Sequence, residues 1–579
     1  MGLELRTVLA AVGTALATLL FAASAQASAP AAPTITEPSV NGALVNTADV
    51  HMEAGGYSDP DGDSHSCSDW EIWTVSPAAR VWSASPCVFP LTVHVHLGDG
   101  SFQGSYSGKA ALFPGTDYQL RVRFRDDKQE TGSYATRSFR TEPAGPPGTP
   151  GENPWIAKQP GFVIQKFASN LQLPVNVAAV PDPGPNPGDA LLYVTELYGA
   201  IKVVTRDGSV SDYATGLLNF KPTGTFPGSG EIGLTGITVD PASGDVFAAL
   251  VYQDPNTWKD SAVHYGAVLR LHSADGGRTA GSATRILDLA PSRTGPSHQI
   301  SNLTIGPDGK LYVHVGDGFD ASQAENLNSY LGKILRVNLD GSAPADNPTF
   351  DGAPITARDY IFARGFRNPF GGAWRASNGA HYEVENGVDS NDRLARMDLP
   401  APPGGYDFGW DGTPSSMLTG ALYSWSPTHA PVNIAFVEPE TFGGSGFPAV
   451  QMDHAFVSES GPTYAIGPQA RGKRIVEFEP DSGGELGSIP AKTLVEYGGV
   501  GHATVVGLAA GPSGLYFTDL YEDDAASAPT ERGANIWRVC FEECPPVAAH
   551  PEQPVTAPPS SGVRAAVRHC KKLRGKKRA

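Results

Sequence analysis

Leu311-Tyr312-Val313, followed by Ile334-Leu335-Arg336-Val337, reads as two short β-strands: each run is apolar and rich in β-branched or aromatic residues. The same two signatures recur in tandem six times between about residue 190 and residue 540. The other copies are Leu192-Tyr193-Val194 with Ile201-Lys202-Val203-Val204, and Val246-Phe247-Ala248 with Val268-Leu269-Arg270-Leu271. A weaker copy, His381-Tyr382-Glu383 with Arg393-Leu394-Ala395-Arg396-Met397, follows. Ala455-Phe456-Val457 with Arg474-Ile475-Val476-Glu477-Phe478, and Leu515-Tyr516-Phe517 with Asn535-Ile536-Trp537-Arg538-Val539, complete the set. A sheet of a few strands cannot bury both faces alone, so tandem copies roughly 50–80 residues apart predict blades stacked around an axis. Six copies predict a six-bladed β-propeller within an all-β chain.

At 579 residues the chain is too long for one hydrophobic core, so two or more domains are expected. Gly 67 and Pro 50 supply many turns, and 18% charged residues is too few for a long-helix or disordered protein. A net charge of −18 argues against a nucleic-acid binder, because neutralising phosphates needs a basic surface. Residues 1–27 read as a secretory signal peptide: Arg6, an apolar run from Val8 to Ala23, and Ala25-Gln26-Ala27 as a cleavage site. That run is short for a membrane span and no later stretch is longer, so a soluble, secreted or periplasmic protein is expected.

Residues 30–142 alternate apolar and polar in short runs separated by turn clusters, the pattern of a β-sandwich. Asp59-Pro60-Asp61-Gly62-Asp63 reads as a polar turn before a calcium loop. Residues 143–158 read as a Pro/Gly linker, residues 159–541 as the propeller, and residues 545–579 as a Pro/Ser-rich then basic tail, a candidate for wall or surface association. Cys67 with Cys87 and Cys540 with Cys544 are the local pairings among three possible; Cys570 is left over. Cys540-x3-Cys544 lacks the second pair of ligands a zinc site needs.

Propellers place ligands at one mouth of the central channel. His298 precedes one strand, Leu303-Thr304-Ile305, and Asp317 follows the next, Leu311 to Val315, so the two can meet at that mouth. A carboxylate on an imidazole fixes its tautomer and stabilises its protonated form, the arrangement of a general base. A structural histidine satisfied by its neighbours is the plainer reading of the spacing alone.

The stretch His298 to Asp317, then Leu331-Gly332-Lys333-Ile334-Leu335-Arg336-Val337-Asn338-Leu339-Asp340-Gly341-Ser342, Asp346-Asn347-Pro348 and Arg364-Gly365-Phe366-Arg367-Asn368-Pro369, resembles the glucose/sorbosone dehydrogenase family. The resemblance spans about residues 160–540 and implies a soluble pyrroloquinoline quinone (PQQ) enzyme on a six-bladed propeller. It implies His298 as catalytic base and Asp317 as its orienting aspartate. It implies Arg367 and Asn368 as cofactor-binding, and Glu231, in Gly230-Glu231-Ile232-Gly233-Leu234, near the quinone. Backbone carbonyls of Gly387 and Val388, in Glu385-Asn386-Gly387-Val388, would hold calcium. A sugar would be oxidised at C1 to a lactone, with electrons passed to an external acceptor. The segment Leu112 to Phe124 similarly resembles the late strands of a fibronectin type III domain, with Tyr118 as its buried corner tyrosine.

The chain departs from the family in three places. Gly387-Val388 stands for Gly-Pro, and Asp392-Arg393-Leu394-Ala395 stands for Asp-Glu-Leu-Asn, reversing a charge. His502-Ala503-Thr504-Val505-Val506-Gly507-Leu508 stands where glucose-oxidising members carry quinone-binding arginines, leaving Lys473 or His502 as substitutes. Two other readings stay open: a non-catalytic propeller binding a glycan or protein, and a calcium-dependent lactonase for which Glu231 and Asp317 are available.

Overall fold

A computed structural model describes residues 28–89, 91–222, 231–257, 263–295, 297–438, 446–544 and 546. The expected signal peptide, Gly230, Cys570 and, but for residue 546, the tail lie outside the described residues. The described chain is dominated by β-strands, as expected, with a few short 3-10 turns. Among the described residues no helix is long and apolar enough to cross a membrane.

Each signature pair forms the second and third strands of one sheet, in one common register. Tyr193 lies opposite Val203, Phe247 opposite Arg270, Tyr312 opposite Arg336, Tyr382 opposite Arg396, Phe456 opposite Glu477 and Tyr516 opposite Arg538. A first strand precedes each pair: Pro174–Ala179, Leu234–Val239, Ile300–Ile305, Pro369–Arg375, Pro431–Val437 and Val505–Gly511. Each first strand packs on the next, and the last on the first, so the six sheets close a ring. Apolar side chains fill the gaps between sheets; Phe247, Val313 and Leu335 are fully buried between the second and third. Burial of such a side chain contributes about 1.5–3 kcal/mol.

The ring is sealed by Phe162–Leu171, which pairs along Ala534–Phe541 and ties its beginning to its end. The Pro/Gly stretch over 143–158, read as a linker, lies against the ring. Thr149 N donates to Gly498 O at 2.8 Å, and Trp155–Ala157 pairs with Lys492–Tyr497 as a fifth strand of the fifth sheet. Proline and glycine signal a spacer in sequence, but they equally suit backbone lying flat on a neighbouring surface.

On the axis, alternate sheets contribute an asparagine. Asn176 donates to Asn302 Oδ1 at 2.9 Å and accepts from Asn433 Nδ2 at 2.8 Å, all three buried. The intervening sheets place Gly236, Gly371 and Gly507 there, where a Cβ would run into the neighbouring strand: Asn433 Cα at 2.6 Å for Gly371 and Asn176 Cα at 3.0 Å for Gly507. Close approach of the next sheet's backbone therefore requires glycine at these three positions.

The N-terminal region has two sheets around a core that includes Trp70, Ile72, Trp82, Leu120, Val122 and Phe124. Its central strand, Asp117–Asp126, alternates buried and more exposed positions along its length. Tyr118 is fully buried and its hydroxyl accepts from Phe113 N at 3.0 Å. Both local disulfides form, Cys67–Cys87 and Cys540–Cys544. Asp59 Oδ1 accepts from Asp61 N and Asp63 N, the hydrogen bonds of a polar turn. The three-stranded sheet, Thr34–Glu37, Met52–Gly55 and His94–Val95, lies over one mouth of the ring.

Candidate active site

Glu231, His298 and Arg367-Asn368 each stand just before a first strand, while Asp317 and Gly387 follow second strands. Antiparallel pairing therefore brings them all to the same end of the ring. The pairing foreseen between His298 and Asp317 is present: Asp317 Oδ1 lies 2.7 Å from His298 Nδ1, which must donate because an ionised carboxylate can only accept. Trp410 Nε1 donates to Asp317 Oδ2 at 2.8 Å and Phe319 N to Oδ1 at 3.0 Å, so the carboxylate is fixed from both sides. With Nδ1 engaged, Nε2 is the nitrogen left for chemistry. The imidazole stacks on Phe319 with centroids 4.2 Å apart. His298 also adopts a φ of +54°, a left-handed conformation uncommon outside glycine, and Glu231 Oε2 holds it there by accepting its backbone N–H at 3.0 Å.

Arg367 and Asn368 reach the same cavity. Asn368 Nδ2 lies 3.4 Å from Glu231 Oε1, linking the two motifs. Arg367 Nη1 donates to Gly387 O at 2.7 Å and to Asn386 O at 3.3 Å, so the carbonyl expected to face calcium is met by a guanidinium. Arg367 Nη2 donates to Glu37 Oε1 at 2.7 Å, an ion pair with the N-terminal region that the sequence did not foretell. Burial pushes the Glu37 carboxyl up to about 7, against the downward pull of Arg367.

The charge reversal at Arg393 has a partner. Its guanidinium donates to Glu385 Oε2 with both side chains fully buried, and also to Phe408 O and Thr419 O at 2.8 Å. Glu385 in turn accepts from Arg367 N, so Arg393 braces the loop behind the cavity. Asp392 fixes the other side of that loop, accepting from Gly387 N at 2.8 Å and Thr428 Oγ1 at 2.6 Å.

The cavity is about 260 Å³ and is lined by Glu231, His298, Arg367, Asn368, Gly387 and Val388, with Asp317 behind His298. Lys473 and His502 do not line it. Lys473 Nζ is buried and donates to Ala465 O, while His502 stacks on Tyr464 with centroids 3.8 Å apart. The second cation in the wall is Arg471, paired with Glu142. Glu37, Asp49, His51, His94 and His96 supply the roof. Only the alternation of His94-Val95-His96, two imidazoles on one side of a strand, could have flagged the roof from sequence.

Residues 171–447 match the family model described as Glucose / Sorbosone dehydrogenase. This segment is thus similar to the glucose/sorbosone dehydrogenase family. Quinoprotein glucose dehydrogenase B of Acinetobacter calcoaceticus is 36% identical over 125 residues, 18% of this chain and 25% of that one. Hedgehog-interacting protein of Homo sapiens is 24% identical over 229 residues, 36% of this chain and 31% of that one. The chain thus spans a quarter to a third of these relatives. A solved structure from Thermus thermophilus, described as a putative oxidoreductase (glucose dehydrogenase), aligns with a TM-score of 0.49 at 23% identity, over 66% of this chain and 100% of that one.

Proposed function

We propose that the ring is a six-bladed β-propeller of an exported oxidoreductase that oxidises an aldose or related sugar at C1, with PQQ as cofactor and His298 as general base. The supporting observation is that the His298–Asp317 pair and the Arg367-Asn368 pair face one cavity, tied together through Glu231. Arg367 and Asn368 suit a carboxylated quinone: Arg367 already grips a carboxylate, that of Glu37, and Asn368 Oδ1 is buried with no hydrogen-bond partner among the described residues. Glu37 must release Arg367 for a cofactor carboxylate to replace it. PQQ, when bound, supplies the quinone that accepts the C1 hydrogen with its two electrons, leaving a lactone.

His298 Nε2 accepts the C1-hydroxyl proton, and Asp317 stabilises the resulting imidazolium. Trp410 keeps Asp317 from turning away, and Glu231 keeps the His298 backbone in its left-handed conformation. No step is assigned to calcium, because Gly387 O is engaged by Arg367. We read residues 1–27 as the export signal and the N-terminal sheets as a fibronectin-like sandwich. Electrons leave to an external acceptor, and the tail or sandwich is the candidate for surface attachment.

The test is reconstitution of the purified protein with PQQ, with and without calcium, following dye reduction across a panel of aldoses, with His298→Ala as control. Sugar-dependent reduction that the variant loses supports the reading. Absence of quinone binding in both the wild type and Glu37→Ala would overturn it in favour of a glycan- or protein-binding ring, and lactone hydrolysis without quinone would favour a hydrolase.

A further inference from the structure

We propose that His51, His94 and His96 form a transition-metal site in the roof of the cavity, suited to Zn²⁺ or Cu²⁺. Their ligand nitrogens all lie within 4.8 Å of one another. His94 Nε2 and His96 Nε2 are 2.8 Å apart, and the His51 ring centroid is 4.3 Å from that of His96. The strands explain the convergence. His94 and His96 alternate onto one side of the chain, and pairing of Met52 with Val95 sets His51 beside them. Two ligands on one tetrahedral zinc, at bonds of 2.0–2.1 Å, lie about 3.4 Å apart, so a small widening admits the ion.

A second observation points the same way. Histidines that bind metals turn their other ring nitrogen to a carboxylate, which fixes the ring and raises its basicity. Here His96 Nδ1 faces Asp49 Oδ1 at 3.3 Å. His94 Nδ1, buried without a hydrogen bond, faces Glu53 Oε2 at 3.9 Å. His51 has Asp49 on one side, 3.4 Å from Nε2, and Glu37 on the other, 3.8 Å from Nδ1, so either nitrogen can ligate while its partner keeps a carboxylate. Three imidazoles favour zinc or copper over calcium or magnesium, which take oxygen ligands. Three protein ligands also leave a fourth position open for an oxygen donor, and all three histidines line the cavity. Phe319 joins this cluster to the base: its ring meets His94 edge-on at 4.8 Å and stacks on His298 at 4.2 Å. The metal site does not depend on the redox reading.

The test is titration of the chelator-stripped full chain with Zn²⁺ or Cu²⁺ alone, against a chromophoric chelator, with excess Ca²⁺ present. One equivalent should bind in the submicromolar range. Affinity should fall by roughly 10–100-fold in Asp49→Asn, as for other carboxylates behind ligating histidines, and further in His94→Ala/His96→Ala. His51 is half exposed, so His51→Ala should fold normally and still lose affinity. The Cu²⁺ form should give an electron paramagnetic resonance spectrum with hyperfine structure from three imidazole nitrogens. No stoichiometric binding, or binding unchanged in His51→Ala, overturns the proposal; unchanged binding with hyperfine structure from only two imidazole nitrogens would instead assign the ion to the buried His314–His381–Glu383 cluster.

Discussion

Glu37 and Arg367 are 330 residues apart in the chain and 2.7 Å apart in the fold, and their ion pair joins the N-terminal region to the wall of the cavity. A guanidinium that suits a cofactor carboxylate is thereby engaged by the protein's own.

Glu37→Ala removes that competitor. A charge-assisted hydrogen bond contributes about 1.5–3 kcal/mol, so PQQ affinity, read from quenching of tryptophan fluorescence, should rise by roughly 10–100-fold. Unchanged affinity would mean that Arg367 does not contact the quinone.

The same carboxyl makes folding stability depend on pH. Its pKa rises from the usual 4.5 to about 7 where it is buried, so the folded protein binds the proton more tightly than an exposed Glu37 would. The contribution is fully present below 4.5 and declines as pH rises through about 7, by up to roughly 3 kcal/mol. The urea midpoint of the wild type should therefore fall relative to that of Glu37→Gln between about pH 5 and pH 8. Parallel curves for the two proteins would count against it.

Asp317→Asn should leave the fold and quinone affinity nearly intact, because an amide can occupy the same place. It cannot stabilise an imidazolium, and kcat for sugar oxidation should fall by roughly 10²–10⁴-fold. A comparable loss of quinone affinity would assign Asp317 a binding role instead.

Arg393→Met strands Glu385 as a buried carboxylate and should cost about 3–5 kcal/mol in urea denaturation. Adding Glu385→Gln should restore part of that loss. If the double variant is no more stable than the single one, the pair is not what braces the loop.

The six sheets were legible because strand alternation repeats with one register, so that Tyr193, Tyr312 and Tyr516 mark equivalent positions. His298, Asp317, Arg367 and Asn368 were legible because each sits in a contiguous motif at a strand end. The roof was not. Glu37 and Glu142 meet Arg367 and Arg471 across more than 300 residues, and no local pattern encodes such a pairing. Lys473 and His502 misled for the opposite reason: they lie near the expected place in sequence, but their side chains bond away from the cavity.

The amide knot of Asn176, Asn302 and Asn433 fills the axis of the ring with buried, hydrogen-bonded side chains. Replacing any one of them by an apolar residue would strand polar atoms of its neighbours away from water, so three sheets far apart in sequence stand or fall together.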